Sequence, residues 1–116
     1  MGKLYYGADT EAVVIPDRLL SHIKVVAATK LRRNESFTFS WVHAPSEPVG
    51  RSTLWLQPSI PMRFVFDSVE PEQLDPATLR TLADQAASSA GMHVDLTKDD
   101  FGIQKGATER KLASVA

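Results

Sequence analysis

The sequence predicts a mixed α+β fold, a two-layer sandwich in the order ββαβββα, and three observations carry that expectation. In KLRRNESFTFSW, Lys30 to Trp41, an apolar repeat of helical period gives way within a few residues to strict two-residue alternation. Two more strand-like runs follow, separated by turns that contain proline. A second helical stripe begins only after an acidic linker carrying Pro71. Hairpin-length connections imply a mainly antiparallel sheet of about five strands. Two amphipathic helices on one face of that sheet bury both apolar surfaces.

Each element has a local reason. Leu4 to Tyr6 and Ala12 to Ile15 are short apolar runs around Gly7-Ala8-Asp9-Thr10, a turn composition, and read as an N-terminal hairpin. Pro16 breaks the second run, and Asp17 is placed to cap a helix over Arg18 to Arg33. Leu19, Leu20, Ile23, Val26, Ala27 and Leu31 gather on one side of it, with His22 at the margin of the polar side. Lys30 falls on the apolar side in the last turn, where its stem can pack while the ammonium reaches water. Ser36 to His43, Ser52 to Gln57 and Met62 to Phe66 alternate as strands. Asp75 and Pro76 have the chemistry of a helix start, Leu79, Leu82, Ala83 and Ala86 form the second stripe, and Gly91 suits a helix terminator. Met92 to Leu96 adds a short edge strand. The domain is therefore expected over residues 1–96, followed by a mobile tail over 97–116 with weak helix near Glu109 to Ala113.

Composition narrows the function classes. A chain of 116 residues makes one domain whose core needs neither disulfide nor metal. A formal net charge of -1 argues against coating nucleic acid by bulk charge, while allowing a local basic patch. The absence of cysteine removes thiol chemistry and Cys-based zinc sites. Without a leader pattern or a long apolar run, a cytoplasmic protein without membrane contact is expected. The three histidines, His22, His43 and His93, lack ligand spacing, so no metal or other cofactor is expected.

The alternation also sorts side chains by face. Phe37, Phe39, Trp41, Leu54, Leu56, Met62, Phe64 and Phe66 point to the helices. The opposite face then carries Thr38, Ser40, Thr53, Trp55 and Arg63, a polar surface with one large aromatic. An indole left in water invites a cover. The candidates are the tail with Phe101 and Ile103, a protein surface, or a nucleic-acid base stacked beside Arg63. Lys30, Arg32 and Arg33, with Arg51, are the concentrated cations and the candidate phosphate contacts. A triad of Ser59, His43 and Asp67 has no nucleophile-elbow motif behind it.

The blocks MGKLYYG, DRLLSHIKVVAATKLRRNESFTFSW and GRSTLWLQPSIPMRFVF together resemble a family of small, uncharacterised actinobacterial domains whose members often bear the label "ATP-dependent DNA ligase". The resemblance covers Met1 to Asp67 and extends more weakly to Leu96. It implies no activity, substrate or site residue of its own. Ligase chemistry needs a lysine nucleophile in a Lys-x-Asp-Gly setting. Lys24 precedes Val-Val-Ala, Lys98 precedes Asp-Asp-Phe, and Lys105 precedes Gly-Ala-Thr, so none qualifies. The sequence therefore points to a non-enzymatic module that docks to a partner protein or to itself. The rival is a nucleic-acid-binding accessory to DNA repair. Tentative contacts are Lys30, Arg32, Arg33, Arg51, Trp55 and Arg63.

Overall fold

Helix α1 (Asp17–Arg32) is bracketed by two hairpin strands, β1 (Gly2–Tyr6) and β2 (Val13–Ile15), and by β3 (Phe37–Val42). Strands β4 (Arg51–Leu56) and β5 (Met62–Val65), helix α2 (Pro76–Ala87) and β6 (Met92–Asp95) complete the chain. These elements come from a computed structural model that describes residues 1–103.

The predicted α+β sandwich forms, with its strands divided into two sheets of three, in the orders β2-β1-β5 and β4-β3-β6. Strand β5 does not extend the β3–β4 hairpin; it pairs antiparallel with β1, Leu4 opposite Phe64 and Tyr6 opposite Met62. Alternation fixes which face a side chain takes but not which strand lies beside it. The turn closed by the Ile60 N–H on the Gln57 carbonyl (3.3 Å) lets the chain leave one sheet for the other. The short strand after α2 runs parallel to β3, with Phe39 opposite Met92 and Trp41 opposite Val94.

The core lies where the sequence places it. Phe37, Phe39, Trp41 and Leu56 are buried, and Leu54, Met62, Phe64 and Phe66 pack partly buried against them. Burying one such side chain contributes roughly 1.5–3 kcal/mol, so this strand–helix layer dominates the fold's stability. Helix α1 supplies Leu19, Leu20, Ile23, Val26 and Ala27, and α2 supplies Leu82 and Ala86.

The start of α1 and the end of α2 depart from expectation. Pro16 occupies the N-cap of α1 and makes no side-chain cap. Asp17 begins the helix instead, its Oδ2 accepting the backbone N–H groups of Asp67 (3.0 Å) and Ser68 (3.3 Å) and so tying the exit of β5 to the helix start. At the other end Asn34 adopts φ 62°. The Asn34 N–H reaches the Leu31 carbonyl and the Glu35 N–H that of Lys30, both at 3.0 Å, satisfying carbonyls that a helix end otherwise leaves open. Asp75 caps α2 as predicted, accepting from the Thr78 N–H (3.2 Å) and hydroxyl (2.6 Å). Gly91 does not terminate that helix, which ends at Ala87; it admits the chain to β6 at φ 78°.

The domain also runs past Leu96. The Phe101 carbonyl accepts the Asp95 N–H (2.8 Å), and Ile103 is buried among the core side chains. The weak helix expected near Glu109 to Ala113 lies outside the described residues. The turn after β6 is organised by Asp95, whose carboxylate accepts the Thr97 hydroxyl and N–H. The hydroxyl bond first and the backbone bond second hold this carboxyl below the usual carboxylate range. A depressed carboxyl contributes stability that is present above about pH 4 and lost as pH falls through its folded value. Amide protection factors over residues 96–103, taken against the intrinsic rate at each pH, should therefore fall under acid before those of the core. In Thr97→Ala the same segment should exchange faster at neutral pH, with a weaker acid response.

Candidate functional site

The outer face of the β4-β3-β6 sheet is built by alternation. The register sets Thr38 beside Trp55, Ser40 beside Thr53 and Val42 beside Arg51, and the Ser40 and Thr53 hydroxyls hydrogen-bond at 2.7 Å. Trp55 is 59% exposed, against 8% for Trp41 on the inner face. Phe101 and Ile103 do not cover it: both line a pocket against Arg18, Leu19, His22 and Thr78 at the helix N-termini.

The other tentative contacts are dispersed. Arg63 is on β5 in the second sheet, where its guanidinium sits 5.7 Å from the Tyr5 ring. Lys30 is engaged, its Nζ 3.0 Å from Glu35 and its side chain only 16% exposed. Arg32 and Arg33 close α1, which leads into the Phe37 end of β3. Arg51 faces Val42 at the opposite end of that strand, five residues or about 17 Å away. The fold thus brings Arg51 and Trp55 onto one face and leaves the helix-end cations at the other end of β3 from Arg51.

A second feature was not foreseen. A groove of about 570 Å³ opens between the β1–β2 hairpin and the β3–β4 pair. Leu4, Val13, Trp41 and Leu54 give it apolar surface, while Asp9, Glu11 and Glu47 give it negative charge without any lysine or arginine. His43 and Ser52 stand in its wall, Nε2 to Oγ 2.7 Å. The other ring nitrogen, Nδ1, is 3.0 Å from the Pro48 carbonyl, an acceptor only. Nδ1 therefore carries the proton, and Nε2 accepts from the Ser52 hydroxyl. The pairing follows from the hairpin: His43 is opposite Gly50, whose carbonyl takes its N–H at 2.8 Å. Ser52 is then its diagonal neighbour, within reach of a long side chain. The sequence holds both residues but not the register that joins them.

His22 makes the second histidine contact, and this one is buried. It is 1% exposed, with Nδ1 against the Arg18 carbonyl (2.6 Å) and Nε2 accepting the Asp75 N–H (2.8 Å). Helical periodicity alone puts it at the polar margin, whereas the start of α2 packs over it. Among the described residues no three His, Cys, Asp or Glu side chains are grouped to hold a metal ion, and no helix is long and apolar enough to cross a membrane.

A family profile described as "Domain of unknown function (DUF7882)" matches residues 1–97. The chain belongs to this family. The match spans both sheets and both helices, and its description carries no ligase name. No curated protein matches, and no solved structure matches.

Proposed function

We propose that this DUF7882 domain is a docking module that binds a second copy of itself through the outer face of β4. The observation that carries the reading is Trp55, an indole held mostly in water on a two-residue-period face with Arg51. A two-fold axis through the Ser40–Thr53 centre reverses the strand direction. It sets each Trp55 over Arg51 of the other copy and each Thr38 over Val42. Guanidinium on indole is a favourable contact that withdraws the aromatic face from water, and a two-fold contact requires this kind of self-complementary surface.

Sedimentation velocity over a concentration series tests it. The native chain should move from monomer toward dimer as concentration rises, and Trp55→Ala should shift the midpoint at least about tenfold, or ~1.4 kcal/mol. Arg51→Glu should weaken association comparably, with the fold of both variants intact by circular dichroism. A native chain that stays monomeric throughout would remove the proposal. An oligonucleotide that binds and is released by salt would replace it with phosphate contacts at Arg32 and Arg33.

A further inference from the structure

We propose that Ser52 and His43 form a nucleophile–base pair that takes an acyl group from uncharged or cationic carboxylic esters bound in the groove. Three features coincide there. The Ser52 hydroxyl donates to His43 Nε2 at 2.7 Å, the geometry that lets imidazole remove a proton as the oxygen attacks. The Pro48 carbonyl, 3.0 Å from Nδ1, orients the ring and fixes the tautomer that leaves Nε2 basic. The pair borders about 570 Å³ of space with apolar surface for an acyl chain, and the carboxylates of Asp9, Glu11 and Glu47 disfavour anionic substrates.

The backbone adds a donor for the charge that develops on the substrate. His43 and Gly50 are a hydrogen-bonded pair. Alternation therefore directs Ser52 toward Trp41 and turns the N–H of Thr53 away from β3. Two contacts agree with this phase: the Val42 carbonyl accepts from Leu96 on the far side of β3, and the Trp55 carbonyl accepts the Tyr6 hydroxyl. Strand β4 is an edge of its sheet, so the N–H of the residue following the nucleophile is not spent on a neighbouring strand. Backbone donors in that position serve serine acyl transfer elsewhere.

The step balances within these groups. Ser52 Oγ bonds to the ester carbonyl carbon as its proton passes to His43 Nε2. The carbon–oxygen bond to the leaving alcohol then breaks, and His43 returns the proton to the alkoxide. Water, deprotonated by the same nitrogen, releases the acid and restores the hydroxyl.

The test uses the native chain with an alkyl fluorophosphonate, which loses fluoride to an activated serine, and with p-nitrophenyl butyrate. One phosphonyl group should add, and peptide mapping should place it on Ser52. His43→Ala should slow the addition about 10²-fold or more, Ser52→Ala should abolish it, and Ser59→Ala should leave it unchanged. Ester turnover should fall in parallel. No adduct on the native chain, an adduct on another residue, or equal labelling of His43→Ala would overturn the assignment. The site of the adduct on the native chain decides the matter even where a variant folds poorly. None of these outcomes depends on the self-docking of the opposite sheet face.

Discussion

Gly91→Ala is expected to be the most damaging single-methyl change among the described glycines, costing roughly 2–4 kcal/mol. Two independent penalties meet at this residue. Its φ of 78° lies in the left-handed region that a side chain rarely adopts. A Cβ built there would also lie 1.8 Å from the Thr38 hydroxyl oxygen and 2.8 Å from the Thr38 carbonyl. The hydroxyl can rotate away, but the carbonyl belongs to the central strand β3 and cannot move without disturbing its ladders. The strain therefore falls on the parallel β3–β6 pairing. Gly7→Ala is the control. Its φ is 64°, but the nearest atom to its added methyl is an Ile60 side-chain carbon at 3.3 Å, so only the conformational cost, about 1 kcal/mol, should appear. Urea unfolding of both variants measures the difference. Removing the Thr38 hydroxyl in the Gly91→Ala background should recover only part of the loss, because the carbonyl clash remains. Equal midpoints for the two glycine variants would show that β6 is not packed against Thr38 as described.

Gly91 also marks the boundary of what the sequence discloses. A glycine after a helical stripe reads as a helix end, and only coordinates show that the helix stops at Ala87 and that the glycine serves the approach to β3. The same division recurs elsewhere. Phe37, Phe39 and Trp41 announce their face because a strand has a two-residue period, and Trp55 announces its exposure for the same reason. Partner choice between strands leaves no such period. Alternation alone accordingly puts Arg63 on the face of Trp55, although β5 crosses to β1. The run from Thr97 to Ile103 is polar enough to read as tail, yet one buried isoleucine and the Asp95–Phe101 hydrogen bond anchor it. His43 and Ser52 are nine positions apart, and neither alone suggests chemistry. Their meeting is a consequence of hairpin register. Family membership extends the fold to relatives without supplying a role for any of these residues.

His22 offers the second large effect, and it separates packing from hydrogen bonding. The imidazole is enclosed between α1 and the first turn of α2, with both nitrogens engaged. His22→Ala removes the ring volume and the acceptor for the Asp75 N–H together, and should cost roughly 2–5 kcal/mol. His22→Leu restores most of the volume but not the acceptor. The remaining deficit, about 1–3 kcal/mol, then measures the loss of the imidazole's two hydrogen bonds inside the protein. Asp75 also caps α2 through Thr78, so the leucine variant should loosen α2 first at its N-terminus. Hydrogen exchange should rise at residues 75–79, while β1 and β5, which do not touch this contact, keep their protection. If the leucine variant matched the native midpoint, the imidazole would be filling space and nothing more. A loss spread evenly over both sheets would instead mean that α2 and the β1–β5 pair open as a single cooperative unit, with His22 one of many contacts holding it closed.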